Sequence, residues 1–508
     1  MKHISNSLLL TLMITSLSAC KKFIQVGAPQ TQTPASVVFS DPGLATGAML
    51  NIYGQMMSAQ SFCSLYTTLY CGQSADELIN YSTGTSAVYY TNTLTASNND
   101  DFWSKAYNYI YQANAVITGL EGSPNLTAQL HQQLTGEALF VRAFCHFYLV
   151  NLFGAVPYID TTNYRVSNTA ARMPAAQVYQ NIIADLKQAQ SLLTNNFPDQ
   201  NNNPSTQRVR PNKGAATALL ARVYLYTGGW SDAEQAADSV IASSNYTLLP
   251  TASMNAVFLM NSKEAIWQLQ PSSPTVTNTY DAPAFIMTAP PSSLGVTVSL
   301  SNQLWNAFET GDQRKVSWVG TYTSLPGGQA YHYAYKYKVG GTSGSGGGSI
   351  GGGGGISIGG GGGATGGSTG IGSSGIGSSA PPTSEYYMVL RLAEQYLIRA
   401  EARAEQGNLQ DAAADLNTIR TRAGLPNTTA STQSDLLAAI LHERQVELFC
   451  EWGHRWLDLK RMGLTGTVLA PVKTQESITW VGTDTLYPIP LRQLQYDPAM
   501  ANAQNPGY

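Results

Sequence analysis

Two stretches decide the fold: ARVYLYTGGWSDAEQAADSVI at residues 221–241 and AEARAEQGNLQDAAADLNTIR at residues 400–420. Each contains an alanine, a glycine seven residues later, and a second alanine five residues further on. The matching positions are Ala221, Gly228, Ala233 and Ala400, Gly407, Ala412. Glycine ends a helix readily, and alanine lets two helices approach closely. The pattern therefore predicts two helical hairpins of the same kind.

These hairpins resemble the helix-turn-helix unit of a tetratricopeptide repeat. In a solenoid the copies would follow one another at a period near 34 residues. Here the two alanines that open the pattern, Ala221 and Ala400, lie 179 residues apart. We therefore expect the two hairpins to meet in space after a long excursion of the chain.

Apolar residues at three- and four-residue spacing predict further helices. They cover residues 101–120, 127–153, 174–193, 213–228, 387–406, 409–423 and 434–462. Residues 263–338 differ, because the β-prone runs EAIWQLQ and YHYAYKYKV lie there among Pro, Gly, Ser and Asn. The predicted fold class is mainly α, with an irregular half of loops and short strands.

Residues 340–380 form a tract with 22 of the 47 glycines of the chain. A phosphate-binding loop would need a preceding strand, a following helix and a Lys, Ser or acidic partner at a fixed offset. The tract runs far beyond such a loop and contains no lysine. It is either a linker between domains or an insertion into one.

Composition limits the class of ligand. The chain is 43% hydrophobic and only 12% charged, and Ser, Thr, Asn, Gln and Tyr supply much of its polarity. This composition suits a globular protein that handles neutral ligands. A formal net charge of −3 provides no basic surface for phosphate backbones, so we predict no nucleic-acid partner.

The first residues, MKHISNSLLLTLMITSLSAC, are typical of a secretion signal. The apolar run at 8–17 is too short to span a bilayer. The ending Leu17-Ser18-Ala19-Cys20 looks like a lipobox, so we predict a signal peptide at 1–19, lipidation of Cys20 and a tether at 20–40. A plain signal peptide with an incidental cysteine is the alternative.

The four remaining cysteines fall into two pairs. Cys63 and Cys71 lie close enough in sequence to form a disulfide across a loop in an exported protein, which we state as a hypothesis. Cys145 and Cys450 lie in apolar helical patterns and are predicted to be buried thiols.

No catalytic or metal-binding pattern stands out. In ILHERQVELF the second histidine of a zinc motif is replaced by Val446, which leaves His442 an ordinary helical residue. Glu443, Glu447, Glu451 and Arg455 recur every four residues, which predicts an ion-pair ladder along one helix. We predict no metal, no cofactor and no enzymatic activity.

Aromatic residues in polar surroundings are the ligand-binding candidates, because their faces stack on sugar rings or peptide side chains. The candidates are Tyr66, Tyr70, Tyr81, Tyr89, Tyr90, Tyr280, Trp305 and Trp318. All of them lie in segments predicted to be loops or irregular structure. The alternative is that these rings pack loops against helices.

Several stretches together resemble the SusD/RagB family of outer-membrane nutrient-binding lipoproteins. They include KKFIQVGAPQTQ after Cys20, GEALFVRAFCHFYLVNLFGAVPYI, VLRLAEQYLIRAEARAEQGNLQDAAADLNTIRTRAGL, LHERQVELFCEWGHRWLDLKRMG and YPIPLRQLQYDPAMANAQNPGY. The resemblance runs from the lipobox to Tyr508. It implies one mostly helical domain at 41–508, with tetratricopeptide-like helix pairs beside a ligand-binding half. In that case the tract at 340–380 is a flexible insertion.

The resemblance also implies a surface lipoprotein of the outer membrane that binds a nutrient and passes it to a SusC-like TonB-dependent β-barrel. Its ligand would be a glycan or a peptide. The abundance of Tyr, Trp and Asn in the loops and their low charge favour a glycan. A surface glycoside hydrolase and a pure interaction scaffold are the remaining alternatives.

Overall fold

The computed structural model describes residues 34–59, 61–84, 86–272, 276–340 and 382–508. The predicted signal peptide, Cys20 and all of the glycine tract except Gly340 lie outside these ranges.

Helices dominate the described chain, which confirms the mainly α fold class. In chain order the α-helices are α1 (Ala35–Val38), α2 (Pro42–Met56), α3 (Thr67–Ser74), α4 (Ala87–Thr91), α5 (Asp100–Glu121), α6 (Ala128–Phe153), α7 (Tyr164–Ser167), α8 (Ala175–Leu192), α9 (Lys213–Tyr226), α10 (Trp230–Ile241), α11 (Asp281–Phe285), α12 (Asn302–Ala307), α13 (Gln313–Trp318), α14 (Leu392–Glu405), α15 (Leu409–Arg422), α16 (Gln433–Glu447), α17 (His454–Arg461), α18 (Thr465–Gln475) and α19 (Leu491–Tyr496). Phe62–Tyr66 is a π-helical turn, and Thr251–Ala256 and Gly482–Thr485 are 3₁₀ turns.

The strands are short and pair antiparallel in twos: β1 (Leu78–Asn80) with β5 (Val298–Leu300), β2 (Phe197–Pro198) with β3 (Pro204–Ser205), β4 (Ala265–Leu269) with β8 (Tyr387–Arg391), and β6 (Val319–Thr323) with β7 (Ala330–Ala334). The runs EAIWQLQ and YHYAYKYKV supply β4 and β7, as predicted. The β4–β8 pair is buried, whereas β6–β7 is partly exposed.

The long helices pack in an almost unbroken series. Helix α5 packs on α6, α6 on α8, α8 on α9, α9 on α10, α10 on α14, and α14 on α15 and α16. The contact between α10 and α14 joins the two hairpins, and ion pairs of 2.5 Å (Arg399 to Asp238) and 2.8 Å (Arg403 to Glu234) cross it. The prediction that the hairpins meet in space is confirmed.

Both hairpins also turn in the same way. Gly228 and Gly407 adopt the left-handed conformation, with φ of 72° and 81°. One residue later, the N–H of Gly229 donates to the carbonyl oxygen of Tyr224, and the N–H of Asn408 donates to that of Arg403, each at 2.9 Å. These are the bonds of a Schellman motif, so glycine ends the first helix of each hairpin as predicted.

Two predicted helices differ in the structure. The segment predicted as one helix over 387–406 begins as strand β8, because residues 387–391 pair with the distant β4. The predicted helix at 434–462 is interrupted, since α16 ends at Glu447 and α17 begins at His454. Cys450, Trp452 and Gly453 have positive φ there. The interruption directs the Trp452 side chain into the core, where its Nε1 donates to the carbonyl oxygen of Met388 at 2.6 Å.

The apolar core has two parts. The larger cluster surrounds α6, whose side chains are buried on nearly every face. A smaller one lies between α14, α15 and α16 and contains Leu397, Leu416 and Leu436. In the described part of the chain, no helix has the length and apolarity needed to cross a bilayer.

Candidate functional site

Three of the aromatic candidates are core residues. Tyr70 stacks between Tyr66 and Tyr89, with ring centroids 4.7 and 4.2 Å apart. All three side chains are buried, because they belong to helical segments rather than to loops. This burial favours the alternative that Tyr66, Tyr70 and Tyr89 pack against helices, and their contact with a ligand stays a prediction.

Trp318 is also buried, at 0% exposure. Its Nε1 donates to the carbonyl oxygen of Met254 at 3.1 Å, and the ammonium of Lys336 lies 5.0 Å from its ring. Trp318 closes α13 and faces inward beside a network of buried ion pairs. Its burial favours a role in packing, and contact of Trp318 with a ligand stays a prediction.

The remaining candidates, Tyr81, Tyr90, Tyr280 and Trp305, are half-buried. Tyr280 packs on the main core at the start of α11. The ring of Tyr90 lies 4.5 Å from the ammonium of Lys473, and burial, Glu476 and Tyr81 raise the pKa of its hydroxyl. Tyr81 and Trp305 contact residues of the β6–β7 hairpin.

The β6–β7 hairpin presents an aromatic surface on each face. Successive side chains of a strand point to opposite faces, so Tyr331 and Tyr333 share one face and His332 occupies the other. Gly320 lies opposite Tyr333, and a Cβ at that position would be only 2.2 Å from the tyrosine ring. Glycine therefore lets the Tyr333 ring lie across the neighbouring strand.

On the His332 face, Trp305 lies between two nitrogen groups. The imidazole of His332 stacks on the indole with centroids 3.4 Å apart and an angle of 4° between the planes. The ammonium of Lys315 lies 3.6 Å from the centroid of the same indole. Because His332 occupies one face at van der Waals distance, Lys315 must cover the other. Thr321 Oγ1 lies 3.0 Å from Nδ1 of His332 and holds the imidazole in place.

A cavity of about 360 Å³ opens beside this sandwich, between α12 and α13. Trp305 and Phe308 supply its apolar lining, and Lys315 and Gln313 supply polar groups. The size and the mixture of apolar and polar side chains suit one or two sugar residues or a peptide side chain.

On the Tyr331 face, the rings of Tyr81 and Tyr331 meet edge to face with centroids 5.9 Å apart. The hydroxyl of Tyr81 lies 3.2 Å from Oγ of Ser299, which belongs to β5. The β1–β5 pair thereby positions Tyr81 beside the hairpin. Half-buried rings with hydroxyl groups can both stack on a ligand and hydrogen-bond to it.

The sequence pattern did not identify Tyr331, His332 or Lys315 as site residues. Tyrosine recurs at every second position from 331 to 337, and this alternation signals an aromatic face on a strand. Nothing local to the sequence indicates that Trp305 and Lys315 come together with this strand.

The glutamates of the predicted ladder instead pair with arginines from other segments. Arg314 binds Glu443 at 2.6 Å and Glu447 at 3.1 Å, while Arg391 binds Glu447 at 2.5 Å and Glu451 at 2.8 Å. The ladder prediction is wrong because the helix is interrupted between Glu447 and His454.

Burial disfavours a charged Glu447. Arg422, Arg391 and Arg314 nevertheless hold the pKa of its carboxyl well below the ordinary value. These side chains are buried and mutually neutralised, so the network is structural and inaccessible to a ligand.

The four cysteines of the described residues are buried free thiols, so the predicted Cys63–Cys71 disulfide is wrong. The two residues lie on one helical segment that runs from the π turn into α3. Eight residues of helix separate them by about 12 Å along the axis, beyond the roughly 7 Å that a disulfide allows between Cα atoms. The prediction of buried thiols at Cys145 and Cys450 is confirmed. Within the described ranges, no group of three or more His, Cys, Asp or Glu side chains could hold a metal ion.

Comparisons with known proteins agree with this architecture. Residues 263–508 match the model of the SusD family, and residues 44–225 match a family described as "Starch-binding associating with outer membrane". SusD-like protein P2 from Formosa agariphila is 27% identical over 450 residues, which cover 80% of each chain.

Solved structures share the fold. A SusD superfamily protein from Bacteroides vulgatus ATCC 8482 superposes with a TM-score of 0.71 at 20% identity, covering 91% of this chain and 98% of that one. A laminarin-binding SusD-like protein has a TM-score of 0.70 at 23% identity, with 91% and 99% covered.

Proposed function

This chain belongs to the SusD family, and on that premise we propose that it is a glycan-binding receptor of the outer membrane. Its ligand would bind at the β6–β7 hairpin, by stacking on aromatic rings and by hydrogen bonds. It would then pass to a SusC-like TonB-dependent transporter. The protein would bind the glycan and release it chemically unchanged.

The observation that carries the proposal is the aromatic surface of the hairpin. Tyr81, Tyr331 and Trp305 are half-buried rings next to hydroxyl groups and a cavity, and helices and strands of the scaffold hold them. Two matches support a glycan: the family description names starch, and one structural relative is named for laminarin. A peptide ligand is the alternative, because the same rings could contact peptide side chains.

Titration calorimetry of the mature protein tests the ligand class, with laminarin, malto-oligosaccharides and a tryptic digest of casein as probes. We expect saturable heat with a glycan. In Tyr331→Ala we expect affinity about tenfold lower, equivalent to ~1.4 kcal/mol for the loss of one stacked ring. Tyr496→Ala is the matched control, since Tyr496 is an exposed tyrosine on α19. Binding of casein peptides alone would establish the peptide alternative, and an unaffected Tyr331→Ala would place the site elsewhere.

The membrane anchor is a separate part of the proposal, supported by the lipobox at Cys20 and by the family description. Cys20→Ala should move the protein from the membrane fraction to the soluble fraction without changing its heat of ligand binding. Membrane association of this variant at the wild-type level would rule out the lipid anchor.

The transporter partner is tested by affinity purification of the protein from detergent-solubilised outer membranes. We expect a TonB-dependent β-barrel to co-purify in a stoichiometric complex. Purification of the protein without a barrel, from membranes in which the barrel is present, would contradict this part of the proposal.

A further inference from the structure

Trp305 is a half-buried tryptophan of α12 beside the β6–β7 hairpin, and neither face of its ring is free. His332 stacks on one face at 3.4 Å, and the ammonium of Lys315 covers the other at 3.6 Å. A sugar ring can stack on Trp305 only if one of these groups moves. The imidazole is held by Thr321 and lies parallel to the indole. Lys315 is the group that can move, because its side chain is long and flexible.

The ammonium of Lys315 has no carboxylate partner in the described part of the chain. It donates to the carbonyl oxygen of Trp305 at 3.1 Å. The two carboxylates that line the neighbouring cavity are neutralised by other residues. Glu309 binds Arg420 at 2.6 Å, and Asp312 binds Arg314 at 2.8 Å. Lys315 is therefore the charged side chain of the cavity lining that is not held in an ion pair, although Asp312 attracts its ammonium at longer range.

The cavity is otherwise suited to a sugar residue. Trp305 and Phe308 provide apolar surface, Gln313 provides an amide, and Val316 at the rim is 75% exposed. The low overall charge of the chain suits neutral ligands, so an ammonium without an ion pair at the Trp305 stacking surface is a local exception that favours an anionic group.

We infer that this cavity is a subsite for an anionic sugar residue, one that carries a carboxylate or a sulfate group. The anion would bind the ammonium of Lys315 and draw it away from the indole. The same sugar ring would then stack on the uncovered face of Trp305. The inference rests on the proposed function and narrows its ligand class.

The exchange is favourable for an anionic sugar and unfavourable for a neutral one. The ammonium of Lys315 is attracted more strongly to a carboxylate or sulfate, which carries a full negative charge, than to a neutral carbonyl oxygen, so an anion compensates for the lost contact with the indole. A neutral sugar would displace Lys315 without replacing its contacts. Lys315 thereby acts as a specificity-determining residue.

Two matched pairs of probes test the inference by titration calorimetry. Oligogalacturonate and its methyl ester share a carbohydrate skeleton and differ in carboxylate charge. Carrageenan oligosaccharides and their desulfated form differ in sulfate. We expect at least tenfold higher affinity for the charged member of one pair. A preference in the galacturonate pair would identify a carboxylate as the bound anion, and a preference in the carrageenan pair would identify a sulfate. In Lys315→Met this preference should vanish, whereas Lys315→Arg should keep it.

Lys263→Met is the control for net charge, because Lys263 is an exposed lysine just before β4. This variant should keep the wild-type preference, and thermal unfolding should show that all three variants are folded. Equal affinity for both members of each pair, or a preference that survives in Lys315→Met, would overturn the subsite and leave glycan binding standing. Absence of binding to these probes and to laminarin and malto-oligosaccharides would overturn the proposed function as well.

Discussion

His146 in α6 is buried and has a hydrogen-bond partner at each ring nitrogen, and these two partners determine its protonation. Nδ1 of His146 lies 2.9 Å from the carbonyl oxygen of Arg142, and Nε2 lies 3.2 Å from the backbone N of Ile159, which donates to it. This geometry requires the neutral imidazole with hydrogen on Nδ1. Burial lowers the pKa of His146 to about 3.

His146 should make the protein sensitive to acid. Between pH 6.5 and about 3, His146 binds a proton in the unfolded chain but stays neutral in the folded chain. The contribution of neutral His146 to the unfolding free energy is therefore fully present above pH 6.5. Below that pH it falls by up to about 1.4 kcal/mol per pH unit. We expect the unfolding free energy of His146→Gln, measured by urea titration between pH 4 and 7, to depend less steeply on pH than that of wild type. The difference in slope should correspond to the uptake of up to one proton on unfolding.

Leu139→Ala is the control for this slope, since it removes a buried neutral side chain from the same helix. Its stability should be lower at every pH, with a pH dependence parallel to that of wild type. A His146→Gln curve parallel to wild type would contradict the assigned pKa.

At the scale of elements, left-handed residues determine where helices end. Gly228 and Gly407 end α9 and α14 at the same point of each hairpin. Gly453 performs the related task before α17, where it has a φ of 69° and a Cβ would lie 2.6 Å from that of Cys71. At Gly228 and Gly407 the left-handed backbone is the main reason that glycine is needed. At Gly453 a larger side chain would also clash with Cys71.

Gly407→Ala isolates the backbone effect, because no atom lies within 4 Å of the Cβ position. The left-handed conformation disfavours alanine, so we expect unfolding free energy lower by about 1 kcal/mol in urea titrations. Gly407→Asn should cost less, since asparagine tolerates this conformation. Gly466→Ala, also without neighbours but inside α18, should be neutral or stabilising. Equal losses of stability in Gly407→Ala and Gly466→Ala would contradict the conclusion that the left-handed backbone at residue 407 requires glycine.

At the scale of the whole molecule, buried ion pairs join segments that are distant in the chain. Glu447 of α16 contacts Arg314 of α13, Arg391 of β8 and Arg422 of α15. Arg422 also binds Glu264, which precedes β4, at 2.7 Å. The network therefore ties the irregular half of the molecule to the C-terminal helices.

Glu447→Gln removes the charge that three arginines share. Uncompensated buried charges are costly, so we expect a loss of about 3–5 kcal/mol in unfolding free energy. Glu234→Gln is the comparison, since Glu234 binds Arg403 with 29% of its side chain exposed. That change should cost less than about 1 kcal/mol. Similar losses in the two variants would show that burial does not set the strength of these pairs.

The two described ends of the glycine tract are held together. The carboxylate of Glu385 accepts hydrogen bonds from the backbone N–H of Lys338 at 2.7 Å and of Val339 at 3.1 Å. The chain thus leaves and re-enters the fold at one place, as an insertion requires.

Replacing residues 341–381 by a short glycine-serine linker should therefore leave the Tm within a few degrees of wild type. Loop closure changes by only about 0.6 kcal/mol for each doubling of loop length. The control adds Glu385→Gln to the deletion variant. A Tm lower than that of the deletion variant alone would show that Glu385 still binds the backbone of Lys338 and Val339 after the deletion. Loss of folding in the deletion variant would contradict the interpretation of an insertion.

The sequence by itself determined the helical hairpins, their glycine turns, their meeting in space and the buried thiols at Cys145 and Cys450. These features depend on helical periodicity and on the backbone preferences of glycine and alanine, which are local to a few turns of chain. Only the tertiary structure decided that residues 387–391 form a strand, that Tyr66, Tyr70, Tyr89 and Trp318 are buried, and that Lys315 and His332 enclose Trp305. Strand pairing and burial depend on which distant segment covers a residue, and a local pattern carries no information about that segment.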